Sequence, residues 1–220
     1  MITTQITQVG GSGYTAPEDA AIYLIHMDGR AAIVDAGCGG SVDRLLENIR
    51  SCNVSPKNIA YLLLTHCHFD HTGGAAELKE RLGLKVVAHE LEARYLEDGD
   101  QHVTAASWYG ARLQPLTIDI KLRKPQETLY LGQHEILATH VPGHSPGSVV
   151  YRVVSEGQLV LFGQDVHGPI HPDLLSDPVA YQVSLQKMLD LNADILCEGH
   201  FGVFHGKEKV RKFIQSFIIA

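Results

Sequence analysis

Residues 65–74, with the sequence THCHFDHTGG, place three histidines and one aspartate within six residues, directly after the apolar run 59–64. These four residues are His66, His68, Asp70 and His71. Neutral imidazole is a common ligand for zinc and iron, and a carboxylate adds an anionic oxygen. A lone His-x-His is more typical of a surface or packing role, but four such groups are costly to bury without partners. The spacing therefore predicts a metal site just beyond the end of a strand.

Three further candidate ligands follow the same local pattern of an apolar run, a glycine and then a polar side chain. They are His144 in PGHSPG, Asp165 in FGQDV and His200 in CEGHFG. Strand ends present side chains at the edge of a sheet, where loops carry the functional groups. The seven candidates are therefore expected to meet at one sheet edge.

The elements that would position these residues form two αβ halves. In the first half the pattern predicts a hairpin, 21–26 with 31–34, a helix from Ser41 to about residue 51, a strand over 59–64, a helix over 75–82 and a strand over 85–88. In the second half it predicts strands over 128–131, 135–140, 148–153 and 158–162, a helix over 179–191, a strand ending at Cys197 and a last helix over 207–219.

The segment 89–125 interrupts this pattern between the two halves. It predicts two short helices, 90–96 and 103–113, which would lie as a cap near the ligand edge. Its candidate pocket residues are Tyr95, Trp108, Tyr109 and Arg112, for which packing of the cap on the sandwich is the alternative role. The loop 166–178 would supply the opposite wall. Three histidines near this edge, His167, His171 and His205, are candidates for orienting substrate or carrying a proton, with no role fixed.

With these motifs in order, the chain resembles the metallo-β-lactamase-fold superfamily from Ile22 to about His205. The resemblance implies an α/β fold, a four-layer αβ/βα sandwich forming a single domain over residues 1–220, with a helical cap insertion at about 89–125. It also implies that one metal takes His66, His68 and His144, that the other takes Asp70, His71 and His200, and that Asp165 bridges them. Asp35, in VDAG, resembles a residue of the family that lies behind the ligands.

The chemistry implied is hydrolysis. Two divalent cations at about 3.5–4 Å can share a water and lower its pKa, so that a metal-bound hydroxide attacks a polarised centre. Asp70 and Asp165 are the candidate catalytic residues, because either could hold the proton of that oxygen. The metals are expected to be Zn²⁺, with Fe or Mn as alternatives. The substrate is expected to be a small ester, thioester or lactone.

The subfamily is left open by the sequence. Glyoxalase II-like and lactonase-like hydrolases match all seven ligands, whereas metallo-β-lactamases proper carry a cysteine where this chain has Asp165. The main alternative is a persulfide dioxygenase-like oxidoreductase, which has a similar THCH run. It would bind one iron through His66, His144 and Asp165 and leave the other ligands unused.

Composition excludes several other classes. The net charge of −7 and the scattered lysines and arginines argue against nucleic-acid binding. No apolar run approaches the roughly 20 residues of a membrane span, and the N-terminus lacks the pattern of a signal peptide. The four cysteines have no paired spacing and are expected to be free thiols. We therefore expect a cytoplasmic enzyme with a small-molecule substrate and no nucleic-acid or membrane partner; a homodimer is compatible with the sequence.

Overall fold

The computed structural model of the chain describes residues 1–163 and 165–219. The first half forms a six-stranded sheet whose strands are neighbours in chain order: β1 (Ile6–Gly10), β2 (Ile22–Met27), β3 (Arg30–Val34), β4 (Ile59–Leu63), β5 (Lys85–His89) and β6 (Ile120–Leu122). The first three strands pair antiparallel, and β3 to β6 pair parallel. The carboxyl ends of β3, β4 and β5 therefore lie at one edge of the sheet.

The second half forms another six-stranded sheet with the order β12-β11-β10-β9-β8-β7. Its strands are β7 (Gln126–Leu131), β8 (His134–His140), β9 (Val149–Ser155), β10 (Gln158–Phe162), β11 (Ile195–Cys197) and β12 (Val203–His205). All neighbours pair antiparallel except β10 and β11, which run parallel. The ends of β8, β10 and β11 precede the three candidate ligands of this half.

Helices cover the outer faces of both sheets, except for the short helix Phe69–Thr72, which lies in the loop after β4. They are α1 (Val42–Ser51), α2 (Phe69–Thr72), α3 (Ala75–Leu82), α4 (Glu90–Asp98), α5 (Pro178–Asp190) and α6 (Lys207–Gln215). The apolar stripe of α1 shows why this layer forms, since its buried side chains recur at helical spacing. They are Val42, Leu45, Leu46 and Ile49. Ser41 occupies the position before α1 as predicted, but its side chain makes no capping hydrogen bond.

Three apolar cores hold the layers together. One joins the first sheet to its helices, one lies between the two sheets, and one joins the second sheet to α5 and α6. Between the sheets, the rings of Tyr23 and Phe162 approach to 5.7 Å between centroids, and both side chains are fully buried. The predicted four-layer αβ/βα sandwich is therefore confirmed.

The segment 89–125 differs from its prediction in two places. The first helix forms as α4, but the second, 103–113, is reduced to a single 3-10 turn at Ala106–Tyr109. Ala105 and Gly110, on either side of that turn, have left-handed backbone with φ of 58° and 62°, which no continuous α-helix accommodates. The end of the segment is not cap, because β6 joins the first sheet beside β5.

The prediction also omitted three strands: β1, β6 and β12. Two of them have only three residues, too short for an alternating pattern to be recognised, and all three lie at the edges of their sheets. Among the described residues, no helix is long and apolar enough to cross a membrane.

Candidate metal centre

The seven predicted ligands come together at one edge of the sandwich, in two groups. The possible ligand atoms of the first group lie within 4.8 Å of one another, and the same holds for the second. The first group is His66, His68, His144 and Asp165, and the second is Asp70, His71 and His200. Six of the seven side chains are buried, and His200 is the exposed one. Donors from both halves of the chain therefore face one small volume.

Asp165 lies between the two groups and faces each with a different oxygen. Its Oδ2 lies 3.5 Å from Nε2 of His66 and 3.2 Å from Nε2 of His144. Its Oδ1 lies 3.2 Å from Nε2 of His71 and 3.3 Å from Nε2 of His200. A carboxylate placed in this way can contact two cations at once.

The loop after β4 positions four of the ligands. The chain stays extended through His68, which precedes the short helix α2, and this helix then carries Asp70 and His71 in its only turn. The hydroxyl of Thr72 donates to the carbonyls of Cys67 and His68 and so closes the loop. Cys67 itself is buried in the apolar core of the first half rather than among the ligands.

Asp35 fixes the orientation of two of the imidazoles. Its Oδ2 lies 2.7 Å from Nδ1 of His71 and accepts a hydrogen bond from the hydroxyl of Thr65 at 2.7 Å. That hydroxyl donates to Asp35, so it is left as an acceptor for Nδ1 of His66 at 3.0 Å. With Nδ1 occupied, Nε2 of each ring carries the lone pair that can bind a metal.

His144 is oriented by backbone. Its Nδ1 lies 2.8 Å from the carbonyl oxygen of Pro169, and Nε2 faces the cluster. The preceding residue, Gly143, has φ of +137°, and a Cβ there would lie 2.3 Å from backbone atoms of Tyr181 in α5. A glycine is therefore required for this ligand loop to pack against α5.

The electrostatics of the cluster are dominated by its carboxylates. Burial alone would lower the pKa values of His71 and His200. Neighbouring carboxylates, with Asp165 and Asp70 common to both, outweigh burial: the pKa of His71 lies well above its usual value, and that of His200 rises to about 10. Burial raises the pKa of Asp165, but the nearby histidines, with His71 the strongest, outweigh burial and hold that pKa well below the usual range.

On the other side of the cluster burial prevails. Desolvation is the largest cause that lowers the pKa of His66, to about 3, and of His68, well below the usual value. These two imidazoles are therefore neutral at physiological pH, which is the form that binds metal.

The buried polar atoms that lack hydrogen-bond partners show that the donor set suits a cation. Four buried side-chain polar atoms of the described residues have no hydrogen-bond partner, and three of them belong to the cluster: Nε2 of His68, Nε2 of His71 and Oδ1 of Asp165. Such atoms cost free energy when buried without a partner. Imidazole nitrogens and carboxylate oxygens in this number suit Zn²⁺ or a similar divalent ion.

Two buried acids in this region were not found by the sequence analysis. Glu92 in α4 is 1% exposed, and Glu198 after β11 is 0% exposed. Both hold the loops that carry ligands, as described below. One signal was available for Glu92, since it lies four residues before Leu96 and so on the buried face of α4.

A cavity of about 170 Å³ opens over the cluster. Its floor is formed by four of the candidate ligands and His167, and its walls are mostly apolar. The walls are Ala105, Trp108, Tyr109, Pro169 and Leu174. Among the described residues that line it, none is lysine or arginine. A larger groove of about 410 Å³ lies along β8 and β9, and none of the seven candidate ligands lines it.

The remaining predicted pocket residues divide into three groups. His167 lines the cavity, and His171 lies at its rim, where its ring meets that of Trp108 at 5.3 Å between centroids. Tyr95 is buried away from the cavity lining, and Arg112 is not among the lining residues. His205 lies exposed on β12. The cavity therefore receives Trp108 and Tyr109 from one segment and His167 from the other.

The family model and the curated relatives that match this chain indicate the same family. A family model described as the metallo-beta-lactamase superfamily matches residues 16–200. A probable metallo-hydrolase of Methanocaldococcus jannaschii is 31% identical over 70% of this chain and 69% of its own length. An acyl-coenzyme A thioesterase of Gallus gallus is 26% identical over 93% and 80%. A hydroxyacylglutathione hydrolase of Haemophilus influenzae is 29% identical over 62% and 60%.

Solved structures agree with the fold. A class B3 di-zinc metallo-beta-lactamase from an Alaskan soil metagenome superposes with a TM-score of 0.76 at 27% identity. The superposition covers 91% of this chain and 77% of the other.

Proposed function

Because the chain belongs to the metallo-β-lactamase superfamily and is a metal-dependent hydrolase, we propose that it uses two divalent metal ions, preferably Zn²⁺, to cleave a small ester, thioester or lactone. The observation that carries the proposal is the placement of Asp165, whose two oxygens face the two groups of histidines separately. A mononuclear site would use only one of these faces. The proposal is also supported by the similarity to a di-zinc enzyme.

When bound, the cations would supply an activated water and would polarise the carbonyl group that it attacks. The first would be held by His66, His68 and His144, the second by Asp70, His71 and His200, and both by Asp165. The chain's own contribution is orientation and proton handling. Asp70 lies at the cavity floor and 3.3 Å from Nε2 of His200, where its carboxylate can hold a proton and pass it towards a leaving group.

The walls support a substrate with a compact, uncharged acyl group. A cavity of about 170 Å³ is small, and its apolar walls favour burial of a hydrocarbon or aromatic group. The described lining contains no lysine or arginine, so no cationic side chain is present to pair with an anionic substituent on the acyl group. The thioesterase and hydroxyacylglutathione hydrolase relatives support the thioester as the first bond to test.

The test is metal analysis combined with a substrate panel. Protein purified without added metal is assayed for zinc, iron and manganese per chain, and then for hydrolysis of acetyl, hexanoyl and succinyl thioesters. We expect two metals per chain and faster cleavage of the neutral acyl groups. One iron per chain, with oxygen uptake on a persulfide and no thioester cleavage, would overturn the proposal in favour of a dioxygenase.

A further inference from the structure

Two buried carboxylates lie behind the cluster, and each contacts the backbone beside a different set of ligands. From these contacts we infer that Glu92 is a positioning residue for the His66/His68/His144 group and that Glu198 is the corresponding residue for His200. The inference rests on the proposed dinuclear site. It goes further by assigning each metal position its own anchor outside the ligand set.

Glu92 joins the two ligand loops of the first group. Its Oε2 accepts a hydrogen bond from the backbone N–H of Cys67 at 2.7 Å, between His66 and His68. Its Oε1 accepts from the hydroxyl of Ser145 at 3.0 Å, next to His144, and from the N–H of Gly147 at 2.5 Å. One side chain thus spans loops that lie 25 and 53–55 residues away from it in the sequence.

Gly147 packs directly against Glu92, with no room for a side chain at position 147. A Cβ at Gly147 would lie 2.7 Å from Cγ of Glu92 and 2.9 Å from its Oε1. Glu92 forms no ion pair with any described residue, so its buried carboxylate depends on these three donors. Because loss of a single donor or acceptor at a buried site is costly, this geometry fixes the distance between the two loops.

Glu198 does the same for the last ligand. Its Oε2 accepts from the backbone N–H groups of His200 at 2.7 Å and of Phe201 at 2.9 Å. Its Oε1 lies 2.8 Å from Nδ1 of His167, which orients that ring in the cavity. None of these contacts involves the loops that Glu92 holds. The two anchors are therefore separable, and each should act chiefly on one metal position, with His167 the one contact of Glu198 on the loop that carries Asp165.

The experiment measures metal affinity in two single-site backgrounds. His200→Ala leaves the first group intact, and His144→Ala leaves the second. Zn²⁺ affinity is measured in each background by chelator competition, with Glu92→Gln or Glu198→Ala added. Either orientation of the amide introduced by Glu92→Gln would place its NH₂ group against a backbone N–H. At position 198 an amide could instead pair with His167, so alanine is used there.

We expect Glu92→Gln to weaken Zn²⁺ binding about 10- to 100-fold in the His200→Ala background and less than about threefold in the His144→Ala background. Glu198→Ala should show the reverse. Equal weakening in both backgrounds, or no change in either, would overturn the inference. This outcome is distinct from failure of the dinuclear site itself, which wild-type stoichiometry reports.

A milder variant covers the case in which Glu92→Gln does not fold. Ser145→Ala removes one of the three donors and leaves the carboxylate in place. It should weaken only the first position, by several-fold, with the circular dichroism of the metal-free protein unchanged. Full retention of affinity at the first position in Ser145→Ala, together with unfolding of Glu92→Gln, would assign Glu92 a purely structural role and overturn the inference.

Discussion

At the scale of residues, carboxylates of the metal-free cluster hold protons on neighbouring imidazoles. A cation must compete with these protons for the imidazole nitrogens. Although burial opposes the protonated form of His200, Asp165 and Asp70 raise its pKa to about 10, so this imidazole carries a proton at neutral pH in the metal-free protein. The same carboxylates outweigh burial at His71 and raise its pKa as well. Because metal binds the neutral ring, the cation that would take Asp70, His71 and His200 has to displace these protons.

Proton release on metal binding follows from this balance. We expect titration of metal-free protein with Zn²⁺ at pH 7.5 to release about one to two protons per chain. Metal affinity should fall as the pH is lowered from about 10 towards 6, because protons compete more effectively with the metal for His200 once the pH lies below its pKa of about 10. The raised pKa of His71 acts in the same direction. Calorimetry in buffers of different ionisation enthalpy measures the release. A binding enthalpy independent of buffer would contradict it.

At this scale the sequence predicted which residues would meet and, through the resemblance, that Asp35 would lie behind them, but not the two acids that hold the ligand loops. The seven candidates were recognisable because they follow strands and glycines in a fixed local pattern. Glu92 and Glu198 were not recognised. Glu92 accepts from backbone N–H groups of distant loops, whereas Glu198 accepts from N–H groups only two and three residues away. Only the fold brings Ser145 and Gly147 to Glu92.

At the scale of elements, the segment after α4 and the loop after β10 form the cavity walls. Trp108 is 51% exposed and meets the ring of His171 across the rim, so its removal should open the cavity without disturbing the ligands.

Replacing Trp108 with alanine should therefore raise KM several-fold while leaving metal content at the wild-type value. The matched control is Tyr130→Ala, which removes a side chain of similar exposure, 58%, from β7, outside the cavity lining. Kinetics and metal analysis on both variants make the comparison. Metal loss or a large drop in melting temperature in Trp108→Ala, with KM unchanged, would assign this residue a packing role instead.

The predicted elements agree with the structure where a segment has a sustained apolar pattern. They differ from it where residues with left-handed backbone prevent a continuous helix. The strands β2, β3, β4 and β8 and the helices α1 and α3 were all expected from their patterns. The helix over 103–113 was wrong because helical spacing does not reveal the left-handed backbone at Ala105, which tertiary contacts impose.

Gly143 offers a test of how tightly α5 and the His144 loop are packed. Alanine there should lower the free energy of unfolding by at least about 2 kcal/mol, because it adds a backbone clash to a left-handed conformation. Gly40→Ala is the control, since its Cβ would meet nothing within 4 Å and the change should stay within about 0.5 kcal/mol. Urea unfolding of metal-free protein measures both. Equal stability of the two variants would contradict this prediction and would show that α5 shifts to accommodate the added Cβ.

At the scale of the whole molecule, the metal centre connects the two halves of the sandwich. His66, His68, Asp70 and His71 come from the first half, whereas His144, Asp165 and His200 come from the second. A bound cation therefore cross-links the halves at one edge, in addition to the apolar core between the sheets.

Removal of metal should lower the free energy of unfolding by the amount that metal binding contributes. At free Zn²⁺ about 100-fold above its dissociation constant, binding adds about 2.7 kcal/mol, or about 5–10 °C in melting temperature for a chain of this length. Thermal unfolding with and without chelator measures the shift, and restored Zn²⁺ should reverse it. A melting temperature unaffected by chelator in a protein shown to lose its metal would contradict this cross-linking role.

The number of metals per chain, in wild type and in His200→Ala, tests the central claim most directly. We predict two in the wild type, falling towards one in the variant, with hydrolysis slowed about a thousandfold or more because several kcal/mol of transition-state stabilisation is lost. A wild type that holds one iron, unchanged by His200→Ala and still consuming oxygen with a persulfide, would contradict the dinuclear hydrolase.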